Sequence, residues 1–241
     1  MESEQKLTQT IRFSNALARV RSWEMSKEIL AKISLLNSMK TKLLAIVGSQ
    51  RKNGNSYSLA KTVLESFDAD HDIIQLADKK IEFCNLCEEC IDKDCVLEDD
   101  FNEILAEMEK ADGIILAVPK YLTAPSKFLA FLERLATIVH IRRHMGYGGP
   151  PKNPDYRLFS EQKPFCVFAL SGTGKFNKRD LRNFIDYTES LGLTLVSHDH
   201  PPFIAANVKA GDDKGEVLKN KAAIERCRKL AQKVIMSTKK N

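Results

Sequence analysis

Four cysteines lie close together in this chain of 241 residues, with the spacing C-x2-C-x2-C-x4-C. They are Cys84, Cys87, Cys90 and Cys95. Thiolates at such steps can converge from one loop onto the irons of a cubane, and iron–sulfur clusters are held by cysteines at comparable spacings. Because the sequence offers no second set of cysteines, all four ligands of one 4Fe-4S cluster would come from this loop, residues 82–98.

Other chemistry stays open for these thiols. A structural zinc site usually takes two ligand pairs separated by a longer arm, so this short segment would hold one small ion under strain. Unmetallated thiols are a second alternative. Disulfides are less favoured, because no secretory signal marks the N-terminus. The remaining cysteines lie apart: Cys166 in an apolar run that predicts a core position, and Cys227 in a basic helix.

A second segment with chemical potential follows the first predicted strand, at residues 48–60. It is a polar, glycine-containing turn that leads into a helix N-terminus, where backbone N–H groups and the helix dipole favour a phosphate. Ser49, Arg51, Asn55 and Ser56 could add side-chain donors. The pattern is neither G-x4-G-K-S/T nor G-x-G-x-x-G, which disfavours an ATPase and a Rossmann dinucleotide site. A simple helix cap by Asn55 or Ser56 is the structural alternative.

Two further loops follow predicted strands, at residues 117–126 and 171–175. A planar ring could lie beside the exposed backbone of these loops, and Tyr121 could flank it. Gly172 and Gly174 would permit a close approach of the backbone or positive φ angles. No triad of serine or cysteine with histidine can be assembled, so the catalytic residues stay unknown.

From residue 42 onward, apolar runs of strand length alternate with amphipathic segments of helix length. Strands are predicted at 43–47, 71–76, 113–118, 165–170 and 193–197, and helices at 56–67, 100–110, 125–141, 178–190 and 215–236. Apolar strands between helices indicate a parallel sheet covered on both faces. The predicted fold class is therefore α/β, a flavodoxin-like doubly wound sheet of five parallel strands, which binds ligands at the carboxyl ends of its strands.

Two segments depart from this alternation. Residues 1–40 read as an N-terminal helical extension ahead of a domain at 41–241. Because Met39 directly precedes the first predicted strand, the alternative is that translation starts there and the extension is an artefact of the assigned start site. Residues 142–164 form a long connection rich in Gly and Pro, of the kind that often carries function.

The net charge of +5 and the 29% of charged residues are those of an ordinary globular protein. No apolar stretch has the length of a membrane span, and no signal peptide is visible, which predicts a cytoplasmic protein without membrane contact. The basic C-terminal helix could suggest nucleic acid. Its apolar stripe instead predicts a packing helix with a solvated charged face, so no nucleic-acid partner is expected. This stripe is formed by Leu218, Ala222, Ala223, Ile224, Cys227, Leu230, Ala231 and Val234.

Three stretches together resemble the iron–sulfur flavoproteins, within the flavodoxin-like NADPH-dependent FMN reductase group. They are residues 48–56, the four-cysteine run up to Asp100, and residues 111–121, and the resemblance extends from residue 42 to about 200. It implies a 4Fe-4S cluster on the four cysteines and an FMN at the three loops. The FMN residues implied are Ser49, Arg51, Asn55, Ser56, Pro119, Lys120, Tyr121, Leu122, Ser171, Gly172 and Gly174. Gln50 stands where proline is often found, and Glu133 where Asp is common.

The resulting functional prediction is an electron-transfer flavoprotein that couples a 4Fe-4S cluster to FMN, with a ferredoxin-type donor and a small acceptor. The resemblance also implies a homodimer or homotetramer that brings cluster and flavin together. The alternative is a cluster-free NAD(P)H-dependent FMN or quinone reductase, and a third possibility is a redox carrier without enzymatic activity. Acidic residues around the cysteines would repel an acidic donor, which favours docking on the basic helix near residues 214–240.

Overall fold

The computed structural model of the protein describes residues 40–120, 124–144, 152–171, 188, 191–196 and 213–238. From Thr41 onward they belong to one compact unit, residues 41–241. The predicted N-terminal extension up to residue 39 lies outside the described residues. So do the predicted helix 178–190, apart from Thr188, and four of the predicted ring contacts. These four are Tyr121, Leu122, Gly172 and Gly174.

The strands form one parallel sheet in the order β2-β1-β3-β4-β5. Their bounds are β1 Lys42–Val47, β2 Asp70–Gln75, β3 Gly113–Lys120, β4 Lys163–Ser171 and β5 Leu193–Leu195. This order reverses direction next to β1, as in the flavodoxin-like doubly wound fold. The predicted five-stranded parallel sheet is therefore confirmed, with strand bounds shifted by one to two residues.

The α-helices within the described ranges are α1 Asn55–Leu64, α2 Phe101–Lys110, α3 Ser126–His144 and α4 Lys221–Thr238. Short 3₁₀ turns occur at Leu76–Asp78, Glu89–Ile91 and Glu216–Lys219. Because α3 continues to His144 and β4 begins at Lys163, the predicted 142–164 connection is shorter than expected. No helix in this part of the chain combines the length and apolar character needed to cross a lipid bilayer.

The last helix starts later than the predicted residue 215. Gly215 adopts a left-handed conformation, with φ of 80°, and Asn220 interrupts the helical backbone with ψ of 82°. The side-chain oxygen of Asn220 then accepts a hydrogen bond from the Ala223 backbone N–H at 3.0 Å and caps α4. As a result Leu218 and Ala222, which were predicted in the apolar stripe, lie exposed.

Alternate residues of each central strand point into two separate cores. Leu44 and Ile46 face the core built with α2 and α3, whereas Leu43 and Ala45 face the core built with α1 and α4. Both remaining cysteines are buried in the second core, which confirms the core position predicted for Cys166. The cysteine loop packs against the first core through Cys90 and its neighbours. The basic helix α4 and the cysteine loop therefore lie on opposite faces of the sheet.

Gly113 allows β3 and α4 to pack closely. A Cβ atom at this position would overlap Val234 Cγ1, and it would also make a tight contact of 3.2 Å with Leu43 Cδ2. We expect Gly113→Ala to lower the free energy of unfolding by about 1–3 kcal/mol, because the extra methyl group overpacks this contact. Urea denaturation followed by circular dichroism measures the change.

Val234→Ala provides the control, since it removes the methyl group that the new Cβ would strike. The double variant should lose less stability than the sum of the two single variants, because the two changes share one contact. Strict additivity of the two losses would contradict this account of Gly113.

Candidate functional site

The carboxyl ends of β1, β3 and β4 meet at one edge of the sheet. Val47 pairs with Ala117, and Lys120 pairs with Ser171. The Gly48 N–H donates to the Ala117 carbonyl oxygen at 3.0 Å and continues this alignment beyond β1. The loop after β1 therefore begins beside the end of β3. Open α/β sheets bind their ligands at such an edge.

The first loop ends in an uncapped helix N-terminus. Gly54, in extended conformation, is the N-cap of α1, and no side-chain hydrogen bond caps this end. The alternative of a cap by Asn55 or Ser56 is therefore not what this structure has. A helix start without a side-chain cap, at the positive end of the helix dipole, favours a phosphate.

Hydrogen bonds to two neighbouring elements hold this loop in place. The Asn53 N–H donates to Gln75 Oε1 at 2.8 Å, which ties the loop to the end of β2. The Gln50 amide donates to Ser126 Oγ at 2.9 Å, which ties it to the first residue of α3. Asn53 also has a φ of 50°, a left-handed conformation that asparagine tolerates better than most residues. The loop thus has a defined shape independently of any ligand.

The predicted phosphate-binding side chains differ in their burial and in their hydrogen bonds within the protein. The Ser49 hydroxyl is buried and accepts a hydrogen bond from the Arg51 N–H at 3.1 Å. Ser56 is also buried, in the first turn of α1. The Asn55 side-chain oxygen accepts from the Val217 N–H at 3.4 Å, so it joins α1 to the turn before α4. Ser49, Arg51, Asn55 and Ser56 stay predictions as FMN ligands.

On the ring side, the described residues are Pro119, Lys120 and Ser171. Pro119 and Lys120 are half-buried at the end of β3, and Ser171 is buried at the end of β4. They occupy neighbouring strands at the same edge as the first loop. Their position fits the prediction of a ring site, and their contacts with a ring stay predictions.

The four cysteines of the cysteine loop differ in their exposure to solvent. Cys90 is 7% exposed, Cys84 and Cys95 are half-buried, and Cys87 is exposed. The residues on either side of Cys87 have positive φ angles, 53° at Leu86 and 60° at Glu88. Left-handed residues cost on the order of 1 kcal/mol or more each and concentrate at functional sites. Backbones that mix such conformations form anion-binding nests, which are frequent at iron–sulfur sites.

Arg134 of α3 joins the two ends of this loop. Its guanidinium forms a short ion pair with Asp99, in which both side chains are almost fully buried. It also donates to Cys95 Sγ at 3.1 Å and to the Glu82 carbonyl oxygen at 3.4 Å. Asp99 in turn accepts the Glu82 N–H at 2.7 Å. The start and the end of the loop are therefore held together by one buried ion pair.

Arg142, two turns further along α3, anchors the middle of the loop. Its guanidinium donates to the carbonyl oxygens of Cys90 at 2.9 Å and Lys93 at 2.8 Å, and to the Tyr156 hydroxyl at 2.7 Å. The backbone between the third and fourth cysteines is thereby fixed to the helix. Strong, charge-assisted donors of this kind hold irregular backbone that has no regular secondary structure of its own.

The thiols lie near enough to influence one another. Burial raises the pKa of the Cys90 thiol, and the neighbouring Cys95 and Cys84 thiols raise it further. Across the described ranges, however, no group of three or more His, Cys, Asp or Glu side chains is arranged to hold a single metal ion. A cubane binds its thiolates at four separate corners, wider apart than the ligands of one ion. A cluster on these four cysteines therefore stays a prediction.

A cavity of about 240 Å³ opens beside Cys95, between α2 and α3. Asn102 lines it, and its amide nitrogen donates to the Cys95 carbonyl oxygen at 2.7 Å. The Asn102 side-chain oxygen is buried and has no hydrogen-bond partner among the described residues. The cavity is large enough to admit water next to the fourth cysteine, Cys95.

Sequence reasoning did not identify Arg134, Arg142 or Asn102. A signal for Arg134 existed, because it falls three residues after Phe131 on the apolar stripe of a helix, where a charged residue implies a buried partner. Its partner Asp99 is 35 positions away in sequence. No local pattern links the two residues.

The sequence profile described as NADPH-dependent FMN reductase matches residues 41–177. The chain belongs to this family. The match begins at β1 and covers the loop after β1, the cysteine loop and the end of β3. It supports FMN as a cofactor of the chain.

Among curated proteins, the chain is similar to two archaeal iron-sulfur flavoproteins. It is 33% identical over 114 residues to that of Archaeoglobus fulgidus, covering 45% of this chain and 52% of the relative. It is 34% identical over 100 residues to that of Methanosarcina thermophila, covering 39% and 51%. The chain thus spans about half the length of the curated relatives it matches.

Solved structures share the fold. RosB with a bound 8-demethyl-8-formylriboflavin-5'-phosphate intermediate has a TM-score of 0.58 at 13% identity, over 83% of this chain and 79% of that one. An azoreductase from Bacillus anthracis has a TM-score of 0.53 at 14% identity, over 80% and 99%. At such identities the likeness establishes the architecture alone.

Proposed function

We propose that this protein is an FMN-dependent oxidoreductase that transfers electrons between a 4Fe-4S cluster and FMN. The cluster would be held by Cys84, Cys87, Cys90 and Cys95. The FMN phosphate would bind at the start of α1 and its ring at the ends of β3 and β4. When bound, FMN exchanges one or two electrons and the cluster exchanges one at a time, so the pair can join one-electron and two-electron partners.

The observation that carries this proposal is the role of α3 in both sites. Its first residue, Ser126, accepts a hydrogen bond from Gln50 of the phosphate loop. Further along the same helix, Arg134 and Arg142 hold the cysteine loop. With a rise of 1.5 Å per residue, Arg134 lies about 12 Å along the helix from Ser126. One rigid element therefore sets the relative position of the two cofactor sites.

The partners are part of the proposal. The cysteine loop exposes three large apolar side chains, Phe83 at 70% exposure, Leu86 and Val96. We propose that a second copy of the chain covers these side chains, in a homodimer or homotetramer, and that a ferredoxin-type donor supplies the electrons. Docking on α4 is disfavoured because α4 lies on the opposite face of the sheet. Light scattering measures the mass of the assembly, and a monomeric mass would contradict the proposed homodimer or homotetramer.

Purification without oxygen tests the cofactors directly. We expect about four irons and four acid-labile sulfides per chain, together with a broad absorption shoulder over the flavin bands. Cys87→Ser should lose most of the iron and keep the FMN, because Cys87 is exposed and makes little contact with the core. Elemental analysis and visible spectra give both contents.

Cys166→Ala is the matched control, because Cys166 is buried in the core behind the sheet. It should retain the iron content of the wild-type protein. Equal iron in the wild-type protein and in Cys87→Ser would refute the cluster.

The second candidate is an NADPH-dependent FMN reductase without a cluster, which the family match favours. In that case Arg134 and Arg142 would only stabilise a surface loop. Wild-type protein with flavin bands alone, bleached by NADPH, would select this candidate. Flavin bands with iron and without NADPH bleaching would exclude it.

A further inference from the structure

The guanidinium of Arg134 is placed between a carboxylate and a sulfur. Its side chain is 1% exposed, and its central carbon lies 4.0 Å from the centre of the Phe101 ring. One terminal nitrogen, Nη1, pairs with Asp99, and the other, Nη2, donates to Cys95 Sγ at 3.1 Å. The same planar group therefore contacts a buried negative charge on one side and a predicted cluster ligand on the other.

We propose that Arg134 is a positioning residue that sets the reduction potential of the cluster through its hydrogen bond to Cys95 Sγ. Asp99 moderates this effect by neutralising part of the guanidinium charge. The inference rests on the cluster of the proposed function. It goes further in assigning the control of the potential to one ion pair of this chain.

The direction of the effect follows from electrostatics. Reduction adds an electron to the cluster, and a donor aimed at a ligand sulfur stabilises the added negative charge, which raises the potential. The bond is strong because the donor is charged and because the surroundings are apolar and buried. Asp99, with a side chain of 0% exposure, opposes part of this effect from within the same low-dielectric region.

Arg142 serves as the comparison within the same helix. Each of its three described hydrogen bonds goes to an oxygen atom, two on the loop backbone and one on Tyr156. It carries the same charge and anchors the same loop, with no described bond to sulfur. A purely structural role of the two arginines would therefore affect Arg134 and Arg142 variants alike.

Anaerobic redox titration, followed by electron paramagnetic resonance, tests the inference in the full chain. Arg134→Lys should shift the midpoint potential of the cluster to a more negative value, because one ammonium replaces the two separate nitrogens that reach Asp99 and Cys95 Sγ. Asp99→Asn should shift it to a more positive value, because the guanidinium then keeps its full charge beside Cys95. The control Arg142→Lys should leave the potential at the wild-type value.

A second measurement begins with the wild-type protein. In wild-type protein labelled with ¹⁵N-arginine, pulsed electron paramagnetic resonance of the reduced cluster should show a coupling to an arginine nitrogen. This coupling should persist in Arg142→Lys and disappear in Arg134→Lys. It reports the hydrogen bond itself, independently of turnover.

Opposite shifts in the two variants support the inference, because damage to the loop has no reason to change sign. Shifts in the same direction, loss of iron from both variants, or no arginine coupling in the wild-type protein would overturn it. If the wild-type chain holds four irons but Arg134→Lys and Asp99→Asn keep its midpoint potential, this inference alone is overturned. A wild-type chain without iron would overturn the proposed function together with it.

Discussion

Replacing Arg134 with methionine is expected to lower the free energy of unfolding by about 3–5 kcal/mol, because it leaves a buried carboxylate without its partner. The Asp99 side chain is fully buried and is the only described ion-pair partner of Arg134. It also accepts the backbone N–H groups of Glu82 and Phe101, so it cannot move away to solvent. Urea denaturation of the purified variant gives the change in free energy.

The double variant with Asp99→Asn separates the ion pair from other effects. With the charge removed from both positions, the loss should be clearly smaller than the sum of the two single losses. Arg134→Met with stability within about 1 kcal/mol of wild type, in the range of exposed pairs, would show that the ion pair is not buried in solution.

The ion pair of Arg134 and Asp99 predicts that part of the free energy of unfolding is lost in acid. Burial by itself would raise the pKa of Asp99, but hydrogen bonds from Arg134, Glu82 and Phe101 outweigh it and hold the pKa below the ordinary value. The stabilisation is therefore fully present above about pH 4, the pKa of Asp in the unfolded chain, and is lost as the pH falls further. Asp99→Asn should lack this component when unfolding is measured between neutral and acid pH.

Gly48→Ala is expected to weaken FMN binding by at least about tenfold. A Cβ atom at Gly48 would lie 2.8 Å from Cδ2 and 2.9 Å from Cγ of Phe128. The Phe128 ring is fully buried in the core, where close packing resists its displacement. The new methyl group would therefore displace the loop after β1, which starts at Gly48, from its alignment with β3. Flavin fluorescence quenching on the FMN-free protein gives the dissociation constant.

Gly113→Ala is the matched control for this effect. It places the same methyl group at the opposite end of the sheet, where β3 begins, and should leave the FMN affinity of the folded chain unchanged. A similar loss of affinity in both variants would assign the effect to general destabilisation. An unchanged affinity in Gly48→Ala would show that FMN does not use this loop.

The sequence alone predicted the sheet and the identity of the candidate ligands, since both depend on residues that are near one another along the chain. Apolar runs of strand length that helices separate, such as residues 113–118, indicate buried strands. The parallel order of these strands follows from the crossover connections. The cysteine spacing is likewise local. The predicted start of the last helix was wrong because single residues, Gly215 and Asn220, override the apolar periodicity before α4.

Only the tertiary structure decided how the cysteine loop is held and which face it occupies. Arg134 meets Asp99 across 35 positions, and Arg142 meets the Cys90 carbonyl across 52. These contacts arise because β-strand pairing and helix packing bring α3 onto the loop after β2, and no local periodicity encodes them. For the same reason only the tertiary structure shows that the basic helix, which the sequence offered as a docking surface, lies across the sheet from the cysteine loop.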